Sequence, residues 1–544
     1  MTSAPRDFLA VATPGAGKTT FALRIAVELM GTGQVDKVTV VCPTEHLKGQ
    51  WADAAARVGI HIDPAFTNSQ GQAGAHYDGV AVTYAQVAAN PMVHSARTRG
   101  YRTLVILDEI HHAGDSLSWG DATRRLALTG TPFRSDTSAI PFVQYTPEPD
   151  GSRHSTADYT YGYGDALRDG VVRPVLFMAY SGAMTWKTSM GDQVSARLGE
   201  PLTKDLTKQA WRTALDPEGD WIPAVLQAAD QRLEEMRRSV PDAGGLVIAS
   251  DQKSARAYAR ILLGITGRPA TVVLSDDSDA SAKIDSFAEG DAKWMVAVRM
   301  VSEGVDVPRL AVGVYATNTS TSLFFAQAVG RFVRARKRGE TATVFIPSVG
   351  PLLELASDME AERDHVLDKP LKDSDGLMDY PEDEELRRAN REEKASDDLL
   401  GGFEALGGTA EFDQVLFDGT GWGTGAEVGS AEEQEYLGIP GLLEPDQVTT
   451  LLRARQAEQE KMHRRVEEAR DQRAANAGVS DHRLRAQKRK ELQRLVSSWS
   501  TRSGETHAVI HSKLRQRCGG PEVAKATTGQ IDARISLLRE WFVR

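Results

Sequence analysis

Short apolar runs alternate with helical patterns through the first 135 residues of the chain. These runs lie at Phe8–Ala12, Val38–Cys42, Val80–Val82, Thr103–Leu107 and Leu126–Thr129. Apolar runs of this length, separated by stretches with helical periodicity, are typical of β-α units stacked on a parallel sheet. The pattern therefore predicts an α/β lobe over residues 1–135.

A second series of the same kind begins at residue 171, after a connector at residues 136–170 that is rich in Pro, Gly, Tyr and Asp. Its runs lie at Val171–Ala179, Gly245–Ala249, Thr271–Leu274, Trp294–Val298, Ala311–Tyr315 and Thr343–Ile346. Two series of similar size predict two tandem parallel-sheet lobes that face each other, the second over residues 171–365.

The pattern changes after Pro347. Residues 366–445 are acidic and Gly-rich, which predicts a linker with little core of its own. Residues 446–478 alternate in charge, which favours a solvated helix over a coiled coil, because apolar heptads are too few. Residues 479–544 have amphipathic helical periodicity, which predicts a small basic helical domain.

The composition is that of a soluble chain with several domains. Of its 544 residues, 41% are hydrophobic and 26% are charged, and no apolar run approaches the length of about 18 residues that a membrane helix requires. The apolar patch near the N-terminus is too short for a signal peptide. Cys42 and Cys518 are the only cysteines, so neither a disulfide framework nor a cysteine-based zinc site is expected. We expect a cytoplasmic protein.

The net charge of −11 is unevenly distributed along the chain. Residues 368–440 contain 20 Asp and Glu against 6 Lys and Arg, whereas residues 481–544 contain 14 Lys and Arg against 6 Asp and Glu. The acidity lies mainly in one segment and the C-terminal end is basic. The charge pattern is therefore compatible with a phosphate-bearing partner.

The first chemistry-bearing motif, at residues 12–20, reads Ala-Thr-Pro-Gly-Ala-Gly-Lys-Thr-Thr and lies between an apolar strand and a helical pattern. Glycines let successive backbone N–H groups point at phosphate oxygens, and the helix N-terminus adds its dipole. Lys18 would neutralise the β- and γ-phosphates, and the Thr19 hydroxyl would ligate Mg²⁺. Ala12 departs from the general P-loop pattern, which begins with Gly. The alternative, a glycine-rich turn without a ligand, is disfavoured by Gly-Lys-Thr in this setting.

The second motif places Asp108 and Glu109 directly after the apolar run that ends at Leu107. Such a pair lies at the carboxyl edge of a parallel sheet, where ligands bind. Asp108 would hold Mg²⁺ and Glu109 would polarise the attacking water. The alternative is a plain strand-ending turn, but buried adjacent carboxylates without a cation would be costly.

The third motif, at residues 327–334, reads Gln-Ala-Val-Gly-Arg-Phe-Val-Arg. Arg331 and Arg334 are three residues apart, so on a helix they would share one face. Their guanidinium groups suit the charge that builds on a transferring phosphoryl group. The alternative is a cationic helix end that lies on solvent or on the partner lobe.

Two polar loops complete the set. Leu128-Thr129-Gly130-Thr131-Pro132-Phe133-Arg134 follows a strand of the first lobe and could sense the γ-phosphate. The loop at residues 300–308, between two apolar strands of the second lobe, could touch both nucleotide and nucleic-acid backbone. Either loop alone is equally compatible with an ordinary turn.

Together these motifs resemble superfamily 2 helicases of the DEAD/DEAH-box group, specifically the branch that includes type III restriction motor subunits. The matching segments, in chain order, are ATPGAGKTT (motif I), CPTEHLKGQW (Ia), VTYAQV (Ib), DEIHH (II), LTGTPFR (III), SEGVDVP (V) and QAVGRFVR (VI). The resemblance covers roughly residues 8–347, with every motif in family order.

The resemblance implies two RecA-like lobes, with ATP and Mg²⁺ in the cleft between them and nucleic acid crossing both. The implied catalytic residues are Lys18, Asp108, Glu109, Gln327, Arg331 and Arg334, with Thr19 and Asp108 at the metal. The implied nucleotide contacts are Pro14, Gly15, Ala16, Gly17, Lys18, Thr19, Thr20, Gly304 and Asp306. The implied nucleic-acid contacts are Thr44, Thr83 and Ser302.

We therefore expect an ATP-dependent DNA helicase or translocase. DNA is favoured over RNA because motif III reads TGTPFR rather than the Ser-Ala-Thr of RNA-handling DEAD-box proteins. The alternative is an accessory in replication or recombination that uses ATP as a switch without separating strands. A third alternative, a restriction role, requires a nuclease. No convincing Asp…Glu-x-Lys nuclease pattern is evident, so any nuclease would be a separate subunit.

Two features lie outside the motifs. Family members usually carry an adenine-recognising segment before motif I, whereas seven residues precede Phe8 here, so adenine specificity is not predicted. Residues 511–541 resemble small helical domains of phage replication and regulatory proteins, which suggests a phage-encoded protein acting in the bacterial cytoplasm. We expect the basic C-terminal region to dock on DNA or on a replication or recombination protein, or to serve as a structural cap.

Overall fold

The computed structural model describes residues 6–114, 119, 121–130, 139–147, 153–188, 191–274, 277, 279–298, 307–357, 359, 366–367, 404–423, 425–476, 481–503, 505–523 and 525–543. The chain forms two compact units, Met1–Gln456 and Ala457–Arg544. Within the described ranges, no helix combines the length and the apolar character needed to cross a membrane.

Lobe 1 and the connector occupy the first part of the larger unit. The strands are β1 (Asp7–Ala12), β2 (Lys37–Cys42), β3 (Ile62–Asp63), β4 (Gly79–Thr83), β5 (Thr103–Leu107), β6 (Arg124–Thr129), β7 (Gln144–Pro147), β8 (Arg153–Thr156) and β9 (Tyr159–Tyr161). The helices are α1 (Lys18–Gly31), α2 (Glu45–Arg57), α3 (Tyr84–Ala89), α4 (Pro91–Gly100) and α5 (Tyr163–Arg168), with short 3₁₀ helices at Asn68–Gln70 and Ile110–His112.

The lobe 1 sheet has the strand order β3-β4-β2-β5-β6-β1-β9, and all of its pairings are parallel. Its central strands are buried on both faces, which explains why they appear in the sequence as continuous apolar runs. Because β5, β6, β1 and β9 are neighbours and parallel, the segments that follow their carboxyl ends meet at one edge.

Lobe 2 contains β10 (Val175–Lys187), β11 (Gln193–Leu198), β12 (Gly244–Ala249), β13 (Thr271–Val273), β14 (Trp294–Val298), β15 (Leu310–Ala316) and β16 (Ala342–Pro347). Its helices are α6 (Lys204–Ala214), α7 (Trp221–Ser239), α8 (Gln252–Thr266), α9 (Ala280–Glu289), α10 (Ser322–Val329) and α11 (Gly350–Ser357). The parallel part of its sheet has the order β13-β14-β12-β15-β16-β10. The predicted α/β class with two tandem parallel-sheet lobes is confirmed.

The interpretation of residues 366–445 as a linker is wrong for the part from residue 404 onward. This part forms β18 (Glu404–Gly408), β19 (Glu411–Phe417), β20 (Thr420–Trp422), β21 (Ala426–Glu427) and α12 (Ala431–Leu437), after β17 (Val366–Leu367), which pairs with β8. β18 and β19 pair antiparallel with β10 and extend the lobe 2 sheet.

The acidic composition of this segment concealed its core. Phe412, Val415 and Tyr436 are fully buried in lobe 2. Acids of the same segment have partners far away in sequence: Arg197 binds Glu411, and the Tyr180 hydroxyl donates to Glu433 at 2.5 Å. Such pairing makes a high acid content compatible with a packed strand, which a count of charges along the chain does not reveal.

The C-terminal helices are α13 (Pro445–Asn476), α14 (Asp481–Ser503), α15 (His507–Cys518) and α16 (Thr528–Val543). The last three pack together around Leu492, Val496, Ile510, Leu514, Ile531, Ile535 and Leu538. The amphipathic periodicity predicts core positions at Leu492, Leu495, Trp499, Val509, Ile510, Leu514, Ile531, Ile535, Leu538 and Trp541. Most of them are buried, but Val509 is 43% exposed. The small helical domain predicted for this end therefore has a core of its own.

Candidate nucleotide site between the two lobes

The P-loop connects β1 to α1 and has the backbone that its glycines were expected to allow. Gly15 and Gly17 have φ values of 82° and 84°, the left-handed region that side chains other than glycine rarely adopt. The loop is anchored by the Thr13 N–H, which donates to the carbonyl of Tyr161 at 3.0 Å. Ala12 is the last residue of β1, and its extended backbone explains why this position does not require Gly.

Lys18 opens α1 and turns back over the loop. Its ammonium donates to the carbonyl of Ala12 at 3.3 Å and lies 3.1 Å from Oε1 of Glu109. A Cβ atom on Gly130 would lie 2.7 Å from the Lys18 Nζ, so a side chain there would displace the lysine. The lysine, the glutamate and the turn after β6 therefore converge at one edge of the sheet.

The carboxylate pair follows β5, and several side chains fix it in place. The indole N–H of Trp51 donates to Oδ2 of Asp108 at 2.8 Å, and the hydroxyl of Tyr84 donates to the Asp108 carbonyl at 2.8 Å. Glu109 has a φ of 48°, and its Oε2 accepts from the Gly130 N–H at 3.2 Å. The turn at Glu109 points the two neighbouring carboxylates at different partners.

The two carboxylates differ in their ionisation. Burial and the charge of Glu109 raise the pKa of Asp108, although the Trp51 hydrogen bond and Lys18 oppose this. Burial also works against ionisation of Glu109, but Lys18, His111 and the Gly130 N–H together lower its pKa. Asp108 is therefore the carboxylate that gains most from a bound cation, and an oxygen donor of this kind suits Mg²⁺.

The arginine segment of lobe 2, residues 330–334, differs from the prediction. Helix α10 ends at Val329, so Arg331 and Arg334 do not lie on one helical face. Gly330 ends the helix, and Arg334 forms an isolated antiparallel bridge with Val172. The two arginines are thus presented by an irregular segment, and burial lowers the pKa of Arg334.

The arginine segment lies directly against the P-loop. A Cβ atom on Gly15 would lie 2.9 Å from Cγ of Arg334, and one on Gly330 would lie 2.8 Å from Cβ of Pro14. The structure therefore brings together two walls that are more than 300 residues apart in the chain. Gln327, on the last turn of α10, is half-buried beside this segment.

The remaining predicted residues, which include the expected nucleic-acid contacts, differ in location and burial. Thr44 lies two residues after β2 and Thr83 is the last residue of β4, on the same sheet edge as the P-loop. Thr83 is buried, and its hydroxyl caps α3 by accepting from the Gln86 N–H at 3.1 Å. Thr19 and Thr20 lie in the first turn of α1. Ser302, Gly304 and Asp306, as well as residues 131–134, lie outside the described residues.

Three residues of the site were missed from the sequence. Trp51 and Tyr84 lie within the quoted Ia and Ib stretches, but only the threonines there were singled out. Arg173 is buried and contacts the arginine segment, donating from Nε to the Phe332 carbonyl at 2.7 Å. A single charged residue inside the apolar stretch Val-Val-Arg-Pro-Val was the signal that could have indicated it.

One family model matches the first part of the chain, and two relatives align with nearly all of it. Residues 2–134 match the family described as Type III restriction enzyme, res subunit. The uncharacterized protein MT2985 of Mycobacterium tuberculosis is 56% identical over 547 aligned positions, which cover 98% of this chain and 90% of that protein. The uncharacterized protein ML1624 of Mycobacterium leprae is 54% identical and covers 99% of this chain and 91% of that protein.

A solved structure with a looser similarity is S. cerevisiae Dbp5 bound to RNA and ADP BeF3. It is 13% identical, has a TM-score of 0.40, and covers 67% of this chain and 85% of that chain. An overlap this loose supports no argument about function. The two relatives are mycobacterial, so they do not support the phage origin that the C-terminal stretch suggested.

Proposed function

This chain belongs to the same protein family as the two mycobacterial relatives, and we propose that it is an ATP-dependent DNA helicase or translocase. One observation carries the proposal: the arginine segment of lobe 2 lies against the Gly15 turn of a loop whose lysine faces a pair of carboxylates. A cleft with cations on both walls and two carboxylates at its base suits phosphoryl transfer from a nucleoside triphosphate.

The residues of lobe 1 would bind the phosphates and activate water. The backbone N–H groups of the loop and the Lys18 ammonium would hold the β- and γ-phosphates. Thr19 and Asp108 would hold Mg²⁺, which would neutralise charge on these phosphates. Glu109 would accept a proton from the attacking water.

The Lys18–Glu109 pair links binding to catalysis. Lys18 contributes to the low pKa of Glu109, and a triphosphate would compete with Glu109 for the lysine. As Lys18 turns towards the phosphates, the pKa of Glu109 would rise towards its usual value, which makes the carboxylate a better proton acceptor. Arg331 and Arg334 would stabilise the charge on the transferring group from the opposite wall.

Movement on DNA would follow from changes in the contact between the two walls. ATP would stabilise the closed arrangement because residues of both lobes would bind it, and release of the products would remove that link. Thr44 and Thr83 lie along the sheet edge that a bound strand would follow. Ser302, Gly304 and Asp306 are proposed, on the family resemblance alone, to couple the second lobe to nucleotide and strand.

The decisive experiment measures the ATPase rate of the full chain with no polymer, single-stranded DNA, duplex DNA and RNA. Stimulation by DNA is expected, with RNA weaker. Hydrolysis that none of the polymers stimulates would contradict the proposal. A strand-displacement assay run in parallel distinguishes a helicase from the alternative, an ATP-switched accessory in replication or recombination. The accessory would hydrolyse ATP without displacing a strand.

We also propose that the basic C-terminal unit contributes to DNA binding or to docking on a replication or recombination protein. Deleting residues 482–544 should weaken DNA affinity and reduce its dependence on salt, since fewer phosphates are neutralised. Binding measured across a salt series tests this. An unchanged affinity and slope would exclude the DNA-binding role and favour docking on a replication or recombination protein or a structural cap.

A further inference from the structure

The connector between the lobes is hydrogen-bonded to the P-loop at one end. Strand β9 pairs with β1, and the carbonyl of its last residue, Tyr161, accepts from the Thr13 N–H. Two residues later the side chain of Tyr163 is buried. Its hydroxyl donates to the carbonyl of Arg173 at 2.9 Å and accepts from the Val175 N–H at 3.0 Å.

Three residues after the connector, Arg173 is hydrogen-bonded to the arginine segment. The Arg173 N–H donates to the Val333 carbonyl at 2.9 Å, and its Nε donates to the Phe332 carbonyl at 2.7 Å. Phe332 and Val333 are the two residues between Arg331 and Arg334. Arg173 therefore holds the backbone that presents both arginines.

Further contacts hold Arg173 itself. Its Nη1 donates to Oε2 of Glu340 at 3.4 Å, and its Nη2 donates to the carbonyl of Leu310. Glu340 is also buried, and its Oε2 accepts from the Arg336 N–H at 3.0 Å. The buried ion pair thus holds the backbone at Phe332 and Val333 through Arg173 and at Arg336, two residues after Arg334, through Glu340.

Stability alone is a poor explanation of this pair. Burial lowers the pKa of Arg173 to about 10, and Glu340 offsets only part of this effect. Replacing a buried ion pair by apolar side chains is often neutral or stabilising, so such a pair is weak evidence for a stabilising role. The Nε and the backbone N–H of Arg173, which donate to the adjacent carbonyls of Phe332 and Val333, instead give the segment one defined place.

We infer that Arg173, held by Tyr163 and Glu340, is a positioning residue that sets Arg331 and Arg334 against the P-loop. The inference rests on the proposed function, because its effect passes through the two arginines. The connector is then more than a tether between the lobes. Its hydrogen bonds run from the nucleotide loop to the residues that act on the transferring phosphoryl group.

The test uses the full chain and separates kcat from KM for ATP. Arg173→Gln should lower kcat by about tenfold or more, since small misplacements of catalytic groups are costly. The KM should stay within about threefold, because the P-loop supplies ground-state binding. Arg173→Lys should recover part of the loss, because an ammonium can still donate to the Phe332 carbonyl.

Tyr163→Phe tests whether the hydrogen bond from the Tyr163 hydroxyl to the Arg173 carbonyl contributes to kcat. It should lower kcat less than Arg173→Gln does, because the Arg173 side chain can still donate to the Phe332 carbonyl. If Arg173→Gln does not fold, the kcat and KM of Tyr163→Phe and Arg173→Lys decide the same question.

Arg232 is the matched control. It is also fully buried in lobe 2 and donates to the Thr343 hydroxyl at 3.0 Å and the Leu437 carbonyl at 3.1 Å, away from the arginine segment. Arg232→Gln should lower the melting temperature without changing kcat per folded molecule. Equal kcat losses at Arg173 and Arg232, or a changed KM with normal kcat in Arg173→Gln, would overturn the inference.

The outcome is distinguishable from failure of the proposed function. If Lys18→Ala leaves the ATPase intact, the proposed function fails. If Lys18→Ala abolishes hydrolysis while Arg173→Gln turns over normally, the proposed function stands and the positioning role fails.

Discussion

The two walls of the candidate site are built in different ways. The lobe 1 wall follows directly from strand ends: the P-loop continues β1, the carboxylates follow β5, and Gly130 follows β6. The lobe 2 wall is an irregular segment after α10 whose backbone is held by Arg173, a residue 159 positions away from Phe332. The first wall is encoded locally, whereas the second depends on remote contacts, so the two should respond differently to substitution.

The largest expected effect is on the local wall. Lys18→Ala and Glu109→Gln should each lower DNA-stimulated ATPase by at least about a hundredfold, because each removes charge from the phosphoryl-transfer site. Lys37→Ala is a suitable control, since Lys37 lies at the opposite end of a strand of the same sheet and donates to the Tyr77 carbonyl at 2.7 Å. Near-normal turnover in either site variant would refute the assignment.

A smaller effect is expected where the walls touch. Gly330 has an ordinary φ of −54°, but a Cβ there would lie 2.8 Å from Pro14, so Gly330→Ala should push the walls apart. We expect kcat to fall by about tenfold to a hundredfold with a modest change in melting temperature.

Gly264→Ala is the matched control for this substitution. Gly264 lies inside α8, and a Cβ there would meet nothing within 4 Å. It should stabilise the chain by about 0.5–1 kcal/mol and leave kcat unchanged. If Gly330→Ala is as active as Gly264→Ala, contact between the walls does not matter for turnover.

The smallest effect concerns the stability of the lobe 1 wall. The pKa of Asp108 is raised in the folded chain. At a pH above this pKa, Asp108 is ionised, and the folded chain buries a charge that water solvates in the unfolded chain. Asp108→Asn should therefore raise the free energy of unfolding by about 1–3 kcal/mol at neutral pH, while removing Mg²⁺-dependent hydrolysis. Below the ordinary carboxyl range both states of the wild type are protonated, so the difference should disappear.

Urea unfolding of Asp108→Asn and the wild type between pH 4 and pH 8, chosen to span the raised pKa of about 6, measures this difference. The stability gain should grow as the pH rises from the usual carboxyl range through the raised pKa. A gain that is constant across this range would show that the charge of Asp108 is not its cause.

Much of the fold could be predicted from the pattern of apolar runs. The runs of both lobes became strands, and α1 begins at Lys18 after the glycine turn as the P-loop motif indicated. The prediction failed at residues 404–437, where acids with distant partners concealed the apolar positions of β19. It failed again at Arg331 and Arg334, because α10 stops at Val329 and helical spacing no longer applies.

The sequence by itself determined the features that depend on residues close together in the chain. These are the stretches that form strands, the position of the phosphate-binding turn between them, and the side chains that carry the chemistry. Only the tertiary structure decided which remote groups meet, such as Trp51 at Asp108, Arg173 at Phe332 and Arg334 at Gly15. The physical reason is that these contacts depend on the order of strands in each sheet and on the connector that joins the sheets. No local periodicity specifies either of these.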